Sequence, residues 1–506
     1  MHFSLFAPIL NFLRGSGLAI LPQMELLLFA LGILFFDRLL DEYEKRWSGI
    51  LALLGVAAGA LGLHMQIKRY MIERLNPQGS PGLLAFHNNI LIDGYSIVFC
   101  GLLLAAAALV ILLSLNYLHL EGAQKSSYYA LLLLACAGMM FMITGIHLLV
   151  EFLGVEIMGI SFALLSGVLR HNRLPEKAAL KSLLFWAVGS LSLALGLVLL
   201  YRLGGSTNLA FIGNALDKRP PRLPGQSATD WSLLFPLGFI TAGLLFKIAV
   251  PLFSDSEGNS ESAVPTPVMA YFRGASQVAC FALLMRILIT CFGGLQEQWA
   301  TPLAYAAVTI LTITSLAALF QNNLRKMLAF LAVSQLAYLL LGLVAANETA
   351  LTGIIYSFFA YVFLILGTHG ILIALRSRNL SGDHLEDLAG LYQRSPAQGI
   401  FLAIFLFSLA GVPGTAGFRG RYAMLHALQE THHNYLELIA ALSILCVLYC
   451  AIRLLREAWR TIPGDALPRE ATNSETIALT IAAFVSLAAG LYAEPFLRLA
   501  HYAFGQ

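Results

Sequence analysis

The chain has 506 residues, of which 58% are hydrophobic and 12% are charged, and its formal net charge at pH 7 is +3. A soluble globular chain carries about 25% charged residues, so this composition excludes a soluble protein, and the small net charge indicates no nucleic-acid partner. Apolar residues come in runs of about 20 or more, the length that crosses a bilayer. The sequence predicts an all-α integral membrane protein.

Hydropathy predicts about 14 transmembrane helices along the chain. They begin near residues 18, 48, 90, 128, 147, 178, 231, 267, 301, 327, 350, 399, 434 and 475. The apolar run from Tyr128 to Leu169 is too long for one span, and Gly145 and His147 mark the expected turn. We divide this single membrane domain, 1–506, into four parts. These are 1–127 (helices 1–3), 128–292 (helices 4–8), 301–457 (helices 9–13) and 475–498 (helix 14).

Two predicted spans contain helix-breaking residues. Pro251 interrupts the seventh span in "FKIAVPLF", and Pro413 and Gly414 interrupt the twelfth in "SLAGVPGTAGFRGRY". Proline removes a backbone donor, and a broken helix is tolerated in lipid only where it is buried in protein or lines a wet cavity. Because the two breaks lie five spans apart, we expect two inverted five-helix repeats, an arrangement that puts an ion path near the bilayer midplane.

The distribution of Lys and Arg predicts the orientation. The loops between helices 1–2, 3–4, 5–6, 9–10, 11–12 and 13–14 hold most of these residues, and only the loop at 204–230 runs against the pattern. We therefore expect the first set of loops in the cytoplasm and both termini outside, in a bacterial inner membrane.

Ionisable residues within the predicted spans are candidates for function, because charges at membrane depth are costly to keep. Glu156 lies about ten residues into the fifth span, and Lys247 follows some 15 apolar residues in the seventh. We interpret both as proton carriers, against the alternative of a structural ion pair. Lys181 lies about 9 Å deep at 1.5 Å per residue, where a lysine can also reach the interface.

Three further ionisable residues have structural readings of their own. Glu151 is expected at the membrane edge, and Arg286 is expected to bond a structural partner such as a backbone carbonyl. His369 either titrates or is packed between helices with its donors satisfied. The sequence contains no phosphate loop, dinucleotide fingerprint, CxxC pair or HExxH motif, so redox chemistry on this chain is not expected.

Four stretches resemble one family. "SAVPTPVMAYF" (262–272), "NNLRKMLAFLAVSQLAYLLLGL" (322–343), "HLEDLAGLYQRSP" (384–396) and "SLAGVPGTAGF" (408–418) are similar to the antiporter-like membrane subunits of respiratory complex I. The "PTPV" and "SLAG-P-TAGF" motifs favour the N-type subunit, the counterpart of mitochondrial subunit 2. This resemblance implies 14 helices with breaks in helices 7 and 12, and a membrane-plane row of charged residues that passes protons when the complex reduces quinone.

The resemblance also implies site residues, cofactors and partners. Glu156, Lys181 and Lys247 match the family's charged positions in helices 5, 6 and 7. NAD, FMN, iron–sulfur clusters and quinone are expected on other subunits, with no cofactor or metal on this chain. The partners would be the other membrane-arm subunits and lipid.

This chain departs from the family pattern at three charged positions. The family's helix-8 lysine is Gln277 here, its helix-10 histidine is Gln335, and its helix-12 lysine is Arg421. Glutamine cannot titrate, and arginine hardly deprotonates in proteins. Water or Arg273 could replace the missing charge at Gln277.

Three functions therefore stay open. The first is a proton-conducting subunit of an NADH:quinone oxidoreductase that translocates H⁺. The second is a non-pumping structural paralogue in a complex I-like assembly, which Gln277 and Arg421 favour. The third is a stand-alone cation/proton antiporter. Glu156, Lys181 and Lys247 favour the first, because three charges at membrane depth are costly to retain without a use.

Overall fold

A computed structural model describes residues 16–37, 47–75, 82–120, 126–168, 174–218, 231–254, 264–376, 382–461 and 473–504. The side chains of residues 119, 120, 174–179, 181, 182 and 250–254 are not described. The first half of the chain forms long apolar helices, in which every backbone group can be bonded within the segment, as lipid requires. They are α1 (Leu21–Asp37), α2 (Trp47–Arg74), α3 (Gly94–Leu120), α4 (Ser126–Thr144), α5 (Leu148–Val168), α6 (Leu174–Gly204), the short α7 (Leu209–Asp217) and α8 (Trp231–Ser254).

The second half continues in the same way. Its helices are α9 (Thr266–Tyr271), α10 (Gln277–Phe292), α11 (Gln296–Leu319), α12 (Leu324–Ala345), α13 (Glu348–Arg376), α14 (Leu391–Arg394), α15 (Pro396–Ala410), α16 (Ala416–Glu430), α17 (Asn434–Ala458), α18 (Asn473–Leu491) and α19 (Glu494–Ala503). Short 3₁₀ turns cover Ser16–Ile20, Gly293–Leu295 and Leu385–Leu388, and a π-helical turn covers Phe272–Ser276.

Twelve segments in the described part of the chain are long and apolar enough to span a membrane. One of them, Thr266–Leu319, has 54 residues, which would be about 80 Å of continuous helix against a hydrocarbon core of about 30 Å. The 3₁₀ turn at Gly293–Leu295 divides it into two pieces of membrane length. The all-helical membrane fold is confirmed, whereas the count of 14 helices and the four-part division of the chain stay predictions.

The predicted turn between the fourth and fifth spans is confirmed, since α4 ends at Thr144 and α5 begins at Leu148. The structure also breaks the chain at Pro413, between α15 and α16. Gly411 and Gly414 adopt positive φ angles of 74° and 88° there, a conformation that glycine takes at no steric cost.

The structure does not break the chain at Pro251. The helix α8 passes through Pro251 and ends three residues later, at Ser254. Proline within the last turn removes only one backbone hydrogen bond, so the helix can continue past it. The residues that follow, 255–263, lie outside the described residues.

One end of the bundle carries a short β-hairpin, and we call it the hairpin end. Strands β1 (Leu83–Ala85) and β2 (Ile90–Ile92) pair antiparallel. A single β-bridge joins Ile90 to Gly145 at the α4–α5 turn, and another joins His147 to Asn208. The turns that precede α3, α5 and α7 therefore meet at this end.

Helix α13 lies at the centre of the bundle. It packs against α3, α9, α12, α15, α16 and α18, and 94% of its most apolar 18-residue window is buried. Exposed apolar side chains concentrate on outer helices such as α1, α2, α6 and α17. These outer faces suit lipid or neighbouring subunits, whereas the buried centre can hold polar groups away from lipid.

Candidate functional site

Glu156, Ser190 and Lys247 form a hydrogen-bonded cluster between α5, α6 and α8. The Ser190 hydroxyl donates to Glu156 Oε1 at 2.6 Å and accepts from Lys247 Nζ, also at 2.6 Å. Lys247 Nζ lies 3.4 Å from Glu156 Oε1, and the Lys247 side chain is fully buried while that of Glu156 is 23% exposed. The structure therefore brings together two of the predicted proton carriers, with a serine between them.

Trp186 completes the surroundings of Lys247. The ammonium lies 3.6 Å from the centre of the indole ring and 3.5 Å from the Trp186 carbonyl oxygen. A cation over the face of tryptophan is attracted by the ring quadrupole, and the carbonyl takes one of its N–H donors. These contacts compensate in part for the loss of hydration, which is costly for a buried lysine.

A hydroxyl group between an acid and an amine suits proton transfer, because it can donate and accept at the same time. A proton that leaves the lysine can pass to the serine oxygen while the serine proton passes to the carboxylate. Since Glu156 is partly exposed and Lys247 is not, the cluster connects the surface of the bundle with its interior. This arrangement can hold a proton or hand it on.

Glycines make room for this packing. An alanine Cβ at Gly159 on α5 would collide with the Trp186 indole, and one at Gly189 would lie 3.0 Å from Lys247 Cγ. We expect Gly159→Ala to displace Trp186 and to destabilise the protein by about 1–3 kcal/mol, as overpacking does. Thermal unfolding of the purified protein measures this loss. Gly238→Ala is the matched control, because its Cβ would meet open space; equal stability of both variants would contradict the prediction.

Gln277 bridges α8 and α13 through neutral groups. Its side-chain Nε2 donates to the Ile248 carbonyl at 2.7 Å, and its Oε1 accepts from the Tyr361 hydroxyl at 2.7 Å. Gln277 is fully buried, and it bonds the residue next to Lys247. Both ends of its amide are therefore bonded.

Arg273 and His369 form a second polar pair in the centre. The Arg273 guanidinium lies 3.0 Å from His369 Nε2, and His369 Nδ1 lies 2.8 Å from the Ile365 carbonyl. A carbonyl only accepts, so Nδ1 carries the hydrogen and Nε2 accepts from the arginine. We therefore assign His369 as a neutral imidazole with both nitrogens bonded, the satisfied packing that was one of its two readings.

Arg421 lies at the break between α15 and α16. One guanidinium nitrogen donates to Gln335 Oε1 at 2.6 Å and to the Leu409 carbonyl. Within the described ranges, no carboxylate forms an ion pair with Arg421, and its Nε and Nη1 atoms have no hydrogen-bond partner. The side chain is only 5% exposed. Gln335 and Arg421 thus contact each other.

A cavity of about 30 Å³ separates Arg421 from the Gln277 bridge. Its polar lining comes from Gln335, Tyr338, Ser357, Tyr361, Ser408 and Arg421. A polar space of this size can accommodate a water molecule. The cavity therefore adjoins both Tyr361, which bonds Gln277, and the guanidinium of Arg421.

The remaining predicted residues have mixed outcomes. The backbone of Lys181 lies in α6, the helix of Ser190, but its side chain is outside the described part of the structure. Glu151 was expected to be exposed at the membrane edge, and the exposure is wrong: the residue lies in the first turn of α5, but its side chain is fully buried. Arg286 bonds the carboxylate of Asp93 at 3.0 Å rather than a carbonyl.

The polar residues from Glu156 through Ser190, Lys247, Gln277 and Tyr361 to Arg421 form a buried polar row. Sequence reasoning missed several of its members. Ser190 and Trp186 lie four residues apart on α6, a spacing that puts them on one helix face, and this was the available signal. Tyr361 had none, because an apolar span often contains tyrosine. Among the described residues, no group of three or more His, Cys, Asp or Glu side chains is placed to hold a metal ion.

The fold and this buried polar row define a class of antiporter-like membrane proteins, and comparisons agree. Residues 145–446 match the family model described as "NADH:quinone oxidoreductase/Mrp antiporter, TM". The chain is 36% identical to NADH-quinone oxidoreductase subunit N 2 of Solibacter usitatus over 485 residues, 95% of this chain and 96% of that protein. It is also 36% identical to subunit N 1 of Koribacter versatilis over 494 residues, 97% of this chain and 95% of the other.

Solved structures share the fold. A chain of respiratory complex I from Thermus thermophilus superposes with a TM-score of 0.73 at 22% identity and covers 94% of this chain and 98% of its own length. A chain of the Mrp complex from Dietzia has a TM-score of 0.77 at 18% identity and covers 96% of both. The chain belongs to the NADH:quinone oxidoreductase/Mrp antiporter membrane family, and the resemblance drawn from its motifs is confirmed.

Proposed function

We propose that this chain is the N-type membrane-arm subunit of an H⁺-translocating NADH:quinone oxidoreductase and passes protons across the membrane as quinone is reduced. The observation that carries the proposal is the Glu156–Ser190–Lys247 cluster, a continuous hydrogen-bonded link from the bundle surface to a fully buried lysine. The names of the N-type relatives support the assembly.

The proposed path runs along the buried row. A proton on Glu156 passes through Ser190 to Lys247, and the Gln277–Tyr361 bridge and the small cavity lead towards Arg421. Glutamine and arginine can orient water and stabilise a passing charge without releasing protons of their own. Lys181 is a further residue of the proton relay in this proposal, and Gln277, Gln335 and His369 are supporting positions.

The rest of the assembly belongs to the same proposal. Electron transfer from NADH through FMN and iron–sulfur clusters to quinone would take place on other subunits, and the partners of this chain would be neighbouring membrane-arm subunits and lipid. The membrane would be a bacterial inner membrane, with both termini outside.

A second candidate is a structural paralogue that keeps the fold without pumping. The specific observation in its favour is Gln277, whose neutral amide satisfies both neighbours where the family has a titratable lysine. A stand-alone cation/proton antiporter is the third candidate, and a chain that is isolated from mild detergent with no other subunit would favour it.

Replacing Glu156 by glutamine distinguishes pumping from scaffolding. We expect NADH-driven proton translocation in native membranes to fall at least about tenfold while the complex stays assembled, because the amide cannot carry a proton along the path. Proton uptake and quinone reduction are followed together. Glu297→Gln, which changes an exposed carboxylate on α11, is the matched control. Normal pumping in Glu156→Gln would favour the structural paralogue.

A further inference from the structure

Glu151 is a buried carboxyl group that the proposed path does not use. It lies in the first turn of α5 and is fully buried. Neither of its carboxyl oxygens accepts a hydrogen bond from any residue that the structure describes. It lies five residues from Glu156 on the same helix, so the two side chains point in directions about 140° apart. A buried carboxylate without donors is unfavourable, and therefore the carboxyl group is suited to holding a proton.

One guanidinium, that of Arg286, bonds the carboxylate of Asp93 and also acts electrostatically on Glu151. Arg286 Nη2 donates to Asp93 Oδ1 at 3.0 Å, and the guanidinium lies 4.7 Å from the centre of the Tyr95 ring. The charge of Arg286 also acts on Glu151. Within the described part of the chain, Arg286 Nε has no hydrogen-bond partner. One nitrogen of Arg286 is thus bonded to Asp93, and its Nε is a buried donor without a partner among the described residues.

The side chain of Asp93 is accessible to solvent, whereas that of Glu151 is not. A cavity of about 290 Å³ at the hairpin end is lined by Tyr70, Asp93, Tyr95, Arg286, Thr290 and Phe504. The Asp93 side chain is 23% exposed, whereas that of Arg286 is 5% exposed. Asp93 is therefore partly exposed at this cavity, whereas Glu151 is fully buried.

We propose that Glu151 is a proton-binding site at the hairpin end, and that Arg286 is the positioning residue that decides whether Glu151 keeps its proton. With Arg286 bonded to Asp93, Glu151 holds its proton as a neutral acid. When the O–H bond breaks, the proton passes to a water molecule, which becomes hydronium, and the carboxylate that remains attracts the guanidinium. The ligand is a proton, and the exchange needs no other reactant.

Glu151 also interacts electrostatically with the thiol of Cys291, which belongs to α10 as well. The inference extends the proposed function, because a proton that crosses the membrane has to leave at one end. The binding itself is tested independently of pumping.

Infrared difference spectroscopy of the purified assembly in water and in D₂O tests the binding. At neutral pH we expect a carbonyl-stretch band of a protonated carboxyl group that is lost in Glu151→Gln. Glu494→Gln is the matched control, since this carboxylate is 61% exposed at the hairpin end, and it should leave the band unchanged. A spectrum without this band in the unmodified protein, or a band that persists in Glu151→Gln, would overturn the proposal.

Asp93→Asn tests the role of Arg286 while Glu151 is still in place. This variant therefore tests the proposal even if the Glu151→Gln protein does not accumulate. Removing the competing carboxylate releases the guanidinium to stabilise the Glu151 carboxylate. We expect the band at neutral pH to fall to about half its intensity or less; an unchanged band would exclude Arg286 from control of the site. Lys247→Ala should leave the band intact, so a failure of the pumping proposal would be seen separately.

Discussion

Proton translocation is expected to fall at least about tenfold when Lys247 is replaced by alanine, because the change removes the titratable group at the buried end of the Glu156–Ser190–Lys247 cluster. The ammonium bonds Ser190 at 2.6 Å and lies 3.6 Å from the centre of the Trp186 ring. No neighbouring described side chain in this cluster could take over its positive charge. Proton uptake and NADH-driven quinone reduction in native membranes are measured together.

The design separates loss of chemistry from loss of structure. Lys68→Ala removes an exposed lysine from α2 and should leave both activities unchanged. Assembly is checked by isolating the complex in mild detergent. Should the assembled Lys247→Ala complex pump normally, the proton-channel interpretation of this chain would be wrong, and the buried pair would be a structural ion pair.

A second large effect is expected at Arg421, where two substitutions should differ in outcome. Arg421→Gln removes the buried charge next to Gln335, and we expect pumping to fall about fivefold or more, because the cavity then lacks the group that orients water and stabilises a passing proton. Arg421→Lys keeps a charge that can bond Gln335 and the Leu409 carbonyl. A buried lysine exchanges protons far more readily than arginine does. We therefore expect Arg421→Lys to pump at about half of the normal rate or more.

Arg419→Gln is the matched control, because Arg419 lies two residues away on α16 and is exposed. It should pump normally. If Arg421→Gln also pumps normally, the row ends before the helix break, and protons would have to leave from the neighbourhood of Gln277. If Arg421→Lys fails as badly as Arg421→Gln, the guanidinium is needed for its geometry rather than for its charge.

The sequence was sufficient to predict the class of fold because lipid imposes a simple constraint. Apolar runs of membrane length must form helices, and the turn at 145–147 follows from a run too long for one span. The break at Pro413 was predictable because proline and two glycines occur together there. Pro251 stands alone, and the helix continues through it to Ser254.

The site was only partly predictable, for a different reason. Charged residues in apolar spans are conspicuous, so Glu156 and Lys247 were found, and the structure brings them together. Their distance depends on how three helices are rotated, which periodicity does not fix. Ser190 and Tyr361 were missed because a serine or tyrosine in a membrane helix is common and usually structural.

Glu151 illustrates the limit of depth as an argument. Its position near the start of a span suggested exposure to the interface, yet the hairpin and the neighbouring turns cover this end of the helix. The turn before α5 is bridged to residues distant in sequence, Ile90 and Asn208. Distance from a helix end along the chain therefore did not predict solvent contact.

The π-helical turn at Phe272–Ser276 determines how the helix that follows it is rotated. The N–H of Gln277 bonds the carbonyl five residues earlier, at Phe272, so this turn contains one residue more than an α-helix needs. Deleting one residue there would restore a regular helix but would rotate all that follows by about 100°. Arg286 would then leave Asp93 while Arg273 stayed beside His369. The extra residue thus sets the rotation of the helix so that Arg273 faces His369 and Arg286 faces Asp93. Insertions or deletions here should therefore be far less tolerated than substitutions.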